Sequence, residues 1–509
     1  MKTPILGSSY VARSVNAADN RMVNLFPEII PEGGKEPAFL NRAPGLRFLL
    51  SADVGPIRGL WQLGGYMFAV SANQLYRIDT TWTAIPVGYI LGTGPVSMAD
   101  NGTQIFIACN GPSYIYDVST LTLTQITDPD FPGAVTVGYL DGYFVFNEPN
   151  SQKVWVTALL DGTDIDALSF ASAEGSPDGL VALIVDHREA WLFGTNSVEV
   201  WYDAGEIGFP LARIQGAFNE IGCIAPYSVA KLDNGVFWLG ADARGKGIVY
   251  RSNGYTGTRI STHAVEWQIQ NYDTLADATA YTYQQDGHAF YVLNFPTGDT
   301  TWVYDVATQA WHERAYWDNG EYTRHLADNQ VFYNNTTVVG SWLTGDIYAF
   351  DLEYYADNET VQRWLRSWRA LGPNQNNLKR TRHDLLQLDC EVGVGISGTS
   401  NFTVETIYLT TEAGDQIEAE NGDNLILASA LTVGVEPQAM LRWSDDGGHT
   451  WSNEHWRSMG RIGASSTRVM WRRLGMTQKT RDRVYEVSGT DPVKIAIVAA
   501  ELTISPTNA

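Results

Sequence analysis

The sequence predicts an all-β fold: a degenerate β-propeller of six or seven blades, preceded by an extended arm and followed by a β-rich platform domain. Three observations predict it. A hairpin phrase recurs seven times between residues 55 and 355. Aromatic residues are abundant, with 17 Trp, 25 Tyr and 18 Phe among 509 residues. Period-two alternation returns after residue 384 without that phrase. One such sheet cannot bury its own face, so a ring of sheets is the expected solution.

Residues 1–54 show no clear period, and prolines and glycines dominate from Pro27 to Gly45. This composition reads as an extended arm with little regular structure of its own. Residues 55–355 carry the seven hairpins. Gly64-Gly65 leads into Tyr66-Met67-Phe68-Ala69-Val70, and Asn101-Gly102 into Ile105-Phe106-Ile107. Asp141-Gly142, His187-Arg188, Asn234-Gly235, Asp286-Gly287 and Asn334-Asn335 open the others. Asn-Gly and Asp-Gly favour two-residue turns in which both central residues take positive φ. The flanking β-branched and aromatic residues suit a pleated, half-buried surface. Counted from Gly65, Gly102, Gly142, Arg188, Gly235, Gly287 and Asn335, the steps range from 37 to 52 residues. Four-stranded blades take about 40–50 residues, and the drift leaves the count at six or seven. Long connections at 158–182 and 203–227 are expected to project from the rim.

Residues 356–383 read as a linker. Arg363, Arg366 and Arg369 stand three apart, interleaved with Trp364 and Trp368, and Lys379, Arg380 and Arg382 follow. Basic residues among aromatics suit either a nucleic-acid contact or a protein interface. Residues 384–509 read as a second β unit, through stretches such as Leu385–Val394 and Val493–Ile497. Arg472 and Arg473 lie in a late basic cluster with Arg457, Arg461, Arg468, Lys479, Arg481 and Arg483. Such a cluster can meet an acidic neighbour or DNA.

Charge separates the two parts. Net charge is −23; residues 1–359 carry 18 Lys and Arg against 40 Asp and Glu, and the remainder is nearly balanced. The acidic part is a poor candidate for gripping phosphate, which needs Lys and Arg. Cys109, Cys223 and Cys390 are odd in number and far apart, so neither a disulfide framework nor a metal cluster is expected, and assembly in a reducing cytoplasm is. No apolar run reaches the ~18 residues of a membrane span. The N-terminus lacks the apolar core of a signal peptide.

No catalytic motif stands out. There is no His-Glu-x-x-His, no Gly-x-Ser-x-Gly elbow and no phosphate-binding Gly-x-x-x-x-Gly-Lys loop. No catalytic, cofactor-binding or metal-binding residue is therefore assigned, and the expectation is a non-enzymatic protein. Ser444-Asp445-Asp446-Gly447-Gly448-His449-Thr450-Trp451 fits the Asp-box turn of sialidases and other propellers. Its Ser and Asp side chains are suited to tying down a turn. It keeps open an alternative, a glycan-binding or glycan-degrading propeller, since so acidic a chain offers many carboxylates from which a catalytic pair could be drawn.

Two stretches carry a family resemblance. Ser14-Val15-Asn16-Ala17, Arg21-x-Val23-Asn24-x-Phe26-Pro27-Glu28, Pro44-Gly45-Leu46 and Arg58-Gly59-Leu60 resemble the packaged-DNA stabilisation proteins, the tail hub or nozzle, of short-tailed bacteriophages. Trp443–Trp451 and Met459-Gly460 resemble the C-terminal part of that group. The resemblance implies a homohexameric ring in the virion tail, assembled in the host cytoplasm. It implies an adaptor protein above, a tail needle, fibre or tailspike beside it, and packaged double-stranded DNA passing through the lumen. It carries over no catalytic residue and no cofactor.

Overall fold

The computed structural model describes residues 1–14, 18–173, 175–206, 208–242, 245–372, 380–396, 407–408, 426–428, 433–477 and 483–506. The chain forms two compact units. One comprises Phe48–Ala315 and Tyr322–Phe350; the other comprises Met1–Arg47, Tyr316–Glu321 and Asp351–Ala509.

The first unit is a propeller of seven sheets. The first blade pairs Ile57–Leu63, Tyr66–Ser71, Gln74–Ile78 and Ala84–Tyr89 in sequence order, all antiparallel. The second to sixth blades follow the same meander, led by Ser97–Asp100, Val137–Leu140, Leu180–Asp186, Ala230–Leu232 and Thr279–Gln285. In the fifth, Gly222–Cys223 also pairs with Gly235–Asp242, beside Ala230–Leu232. The seventh has only three strands of its own, Ala327–Tyr333, Thr336–Ser341 and Asp346–Asp351. Its fourth is Gly45–Ser51, from the start of the chain. Asn329 then donates to the Ile57 carbonyl at 2.8 Å, and Tyr333 donates to the Gly65 carbonyl at 3.0 Å, joining seventh blade to first. An apolar cluster of Leu50, Ile57, Met67, Ile78, Tyr333, Val338 and Ile347 fills this closure. Among the described residues the blade count is thus seven.

Most predicted turns have the expected geometry. Asp141 and Gly142, Asp286 and Gly287, Asn334 and Asn335, Gly64 and Gly65, and His187 and Arg188 all have positive φ. Two differ. At the fifth blade the turn pair is Asp233-Asn234, one residue earlier than Asn234-Gly235, because Gly235 already pairs with Leu232. At Asn101-Gly102 only the glycine has positive φ; the Asn101 carboxamide oxygen instead accepts from the amides of Thr103 and Gln104.

The second unit is a β-sandwich. One sheet orders Met22–Val23, Trp364–Arg369, Val484–Gly489, Gln438–Ser444 and His455–Ser458. The other orders Leu25–Ile29, Ala38–Arg42, Ala496–Pro506, Thr381–Cys390 and Val469–Arg472. Trp364, Trp368, Leu386, Trp471, Tyr485, Val487, Ile497 and Leu502 form its core.

Two expected segments are corrected. The arm is not irregular: Leu25–Ile29 and Ala38–Arg42 are paired strands, and Leu25, Phe26 and Leu40 are buried. Its prolines misled, since Pro27 sits within a strand while Leu40 stands opposite it in the ladder. Residues 356–383 are not a linker between domains either. Trp364–Arg369 lies in the middle of the first sandwich sheet, hydrogen-bonded on both sides, with Trp364, Leu365, Arg366, Ser367 and Trp368 all buried. The propeller accordingly ends near Phe350, and its first strand precedes residue 55.

Candidate functional site

The basic residues singled out by the sequence do not form one surface. Arg366 is buried among apolar neighbours. Its Nε donates to the Ile5 carbonyl at 2.6 Å, and its Nη1 to the Arg21 carbonyl at 3.5 Å. Burial lowers its pKa to about 10, and it stays charged at neutral pH. Arg42 plays a similar part, donating to carbonyls of Tyr355, Asp491 and Val493. These guanidiniums join strands distant in sequence, because five donors in a fixed fork can serve several carbonyls at once.

Arg363 pairs with Glu454 at 3.0 Å and lies over the Trp317 ring at 4.6 Å. Arg369 is half-buried in the same strand. Arg382 is exposed but paired with Asp384 at 2.7 Å, which also accepts from Ser505. Arg380 is exposed. Lys379, Lys479 and Arg481, and Val15-Asn16-Ala17 of the opening motif, lie outside the described residues. A nucleic-acid grip along 363–382 therefore lacks its central arginine, which faces the core.

Arg472 and Arg473 are exposed. They stand where the two sandwich sheets meet edge to edge. His455–Ser458 ends one sheet and Val469–Arg472 ends the other. Arg457 Nε donates to the Met470 carbonyl at 3.0 Å, and Trp471 Nε1 donates to the His455 carbonyl at 2.7 Å. Two carbonyls of these edge strands are thus capped by side chains, which discourages continued strand pairing there. Arg473 turns the chain away with φ of 60°.

The Asp-box motif forms a closed turn. Asp446 accepts from the Ser444 hydroxyl at 2.6 Å, the His449 amide at 3.0 Å, and the Thr450 amide and hydroxyl at 2.9 and 2.6 Å. Those bonds hold its carboxyl well below the usual carboxylate range. Gly447 and Gly448 supply positive φ, and Trp451 lies under the Arg442 guanidinium at 4.8 Å. Asp445 forms a two-pronged pair with the buried Arg483 at 2.6 and 2.7 Å. Both aspartates are occupied in holding the turn.

Within the propeller, a cavity of about 1240 Å³ is lined by residues from all seven blades. Its charges are mixed and partly paired. Arg188 meets Asp141 at 2.7 Å, Trp61 donates to Asp100 at 2.9 Å, and Lys231 donates to the Val185 carbonyl at 2.9 Å. Among the described residues no group of three or more His, Cys, Asp or Glu is placed to hold a metal ion, and no helix is long and apolar enough to cross a membrane.

One signal was present in the sequence and missed. Asp117, Asp203, Asp305 and Asp351 each end the third strand of a blade, and Asp79 directly follows that of the first. Their side chains cap the turn that follows: Asp79 accepts from Thr81 and Thr83 amides, Asp117 from Ser119 and Thr120, and Asp305 from Ala307. An Asp after an aromatic-rich strand is thus a blade marker, by the Asx-turn mechanism.

A family model described as bacteriophage P22 Gp10, beta-propeller, matches residues 1–355, and one described as bacteriophage P22 Gp10, beta-sandwich, matches residues 397–505. No curated protein matches the sequence. Among solved structures, the chain is similar to the computationally designed Ika8 protein, at 14% identity over 60% of this chain and 99% of that one, with a TM-score of 0.36. It is similar to the N-terminal domain of Nup159, at 10% identity over 63% and 97%, with a TM-score of 0.37. YCF48 bound to D1 peptide gives 13% identity over 61% and 99%, with a TM-score of 0.37. At these TM-scores the likenesses carry no weight.

Proposed function

This chain belongs to the bacteriophage P22 Gp10 family and is a structural protein of a phage tail, and on that premise we propose that it is the tail hub that closes the head after packaging and conducts the genome during ejection. It acts without catalysis. Several copies encircle a passage, held below the portal by an adaptor and bearing the distal tail proteins. Retention is steric, and release depends on walls to which DNA does not adhere. The observation that carries the reading is the pairing, in one chain, of the propeller and sandwich of that family. Charge supports it: the propeller unit has 12 Lys and Arg against 30 Asp and Glu, a net charge of −18. Such a surface repels a polyanion.

The experiment is retention of packaged DNA. Heads filled in the absence of this protein are expected to release DNA and expose it to added nuclease, and purified protein added to freshly filled heads is expected to restore protection. Heads that keep their DNA without the protein would refute the closure role.

A further inference from the structure

Two exposed surfaces, one in each unit, are opposite in charge and alike in carrying unburied apolar side chains. The first is the sandwich edge. Trp456 is 50% exposed, and Arg457, Arg468, Arg472 and Arg473 are exposed beside it or on the adjoining strand and turn. Arg461 pairs with Glu436 and Arg483 with Asp445. The four exposed arginines make no ion pair among the described residues. Unpaired arginines around an exposed tryptophan have the composition of a protein-binding hot spot.

The second surface is the connection between the third and fourth strands of the third blade. Leu159 and Leu160, which also line the propeller cavity, are each 60% exposed and Leu168 is 80% exposed, with Asp164 and Asp166 exposed between them. This loop is firmly held. The Leu160 amide donates to the Gly142 carbonyl at 2.7 Å, the Ala158 amide to the Asp164 carbonyl at 2.9 Å, and the Gly162 amide to Gln104 at 2.9 Å. Ile165, between the two aspartates, is buried in the core of the third blade. Three leucines kept in water on a preorganised loop are a surface built for contact, since the ordering cost of binding is already met.

We propose that the Leu159–Leu168 loop of one copy docks on the Trp456/Arg457/Arg472/Arg473 edge of a second copy. The commitment to a second copy rests on complementarity of charge and of apolar content, and it builds on the tail-hub reading above. The contact is heterologous, with a different surface on each side. Repeated, a heterologous contact closes into a ring when its rotation divides a full turn and otherwise runs on as an open filament; the tail-hub reading calls for the closed form. DNA is the less suitable occupant of the edge, because a duplex offers phosphate to the arginines but no apolar partner to the exposed Trp456.

The test is charge exchange in the full-length chain, read as mass by sedimentation and light scattering. Arg457→Glu/Arg472→Glu is expected to shift the assembled species to single chains, as is Asp164→Arg/Asp166→Arg. A chain carrying both pairs is expected to reassemble. All four positions are exposed, and melting temperature checks that each variant is folded. An unchanged mass for either pair, failure of the combined chain to reassemble, or a wild-type chain that stays single up to its solubility limit would overturn the proposal. So would an arginine variant that assembles normally but loses a salt-dependent DNA gel shift, which would assign the edge to nucleic acid. Nuclease protection of filled heads is read separately, so loss of the loop–edge pairing with protection intact rejects this interface alone.

Discussion

Leu50→Asp is expected to unfold the propeller at the point where its ring closes. Leu50 is 7% exposed and lies in the cluster that joins the seventh blade to the first. Its strand, Gly45–Ser51, comes from the start of the chain, whereas the three strands it completes in the seventh blade come from residues 327–351. A carboxylate there lies among Ile57, Met67, Ile78 and Val338 and loses its water, a cost of about 4–5 kcal/mol. The loss falls on two blades at once, because Tyr333 and Ile57 share the same cluster. Phe48→Ser, on the same strand but 47% exposed, is the control and is expected to cost about 1 kcal/mol or less. Thermal unfolding with limited proteolysis distinguishes the two. A Leu50→Asp chain that melts with wild type and resists nicking would show that the first strand is dispensable to closure.

The second large effect is loss of stability in mild acid. His312 and His325 in the propeller and His383 in the sandwich are buried, and each pKa falls from 6.5 to about 3. Burial is the main cause in all three; Arg314 adds to it at the first two, and Arg483 at the third. A histidine whose folded pKa is depressed stays neutral while its unfolded counterpart protonates. The unfolded state therefore binds more protons below about pH 6.5, and stability falls as pH falls from there toward 3. Each histidine contributes about 1.4 kcal/mol per pH unit across that window. Between pH 6.5 and about pH 4.5 the propeller is expected to lose on the order of 5 kcal/mol and the sandwich about half that. The capping carboxylates, including Asp79, Asp117 and Asp305, have lowered pKa values and add to the loss only as they protonate at lower pH. Denaturant unfolding at a series of pH values measures the slope. A midpoint constant from pH 6.5 to 4.5 would contradict the burial of these imidazoles.

What the sequence reveals and what it conceals follow from the range of the interactions. Hairpins are legible because a two-residue turn at Asp286-Gly287 needs only its neighbours to declare it. The closing strand is not, because Gly45–Ser51 finds its partner some 300 residues away and carries no mark of that pairing. Arg366 was singled out as a possible interface or DNA contact. It is buried because the carbonyls of Ile5 and Arg21 receive it, and neither is a neighbour in sequence. Arg472 and Arg473 were singled out as possible contacts by charge alone; that they flank an exposed tryptophan on a capped sheet edge needed the fold. The connection expected at 158–182 is a loop only in part, since Phe170–Ser172 and Leu180–Asp186 are strands, as is Leu211–Asn219 within the connection expected at 203–227. The hold on its leucines depends on Gln104 and on Gly142 of a hairpin turn, which nothing local in the sequence marks.

The idea that ties these parts together is that identical chains surround an open axis wide enough for a genome. End-on averages of the purified assembly in the electron microscope examine it most directly. The expected image is a closed ring of repeated propellers with a stain-filled centre. Solid particles without an opening, from protein shown to be folded and assembled, would contradict it.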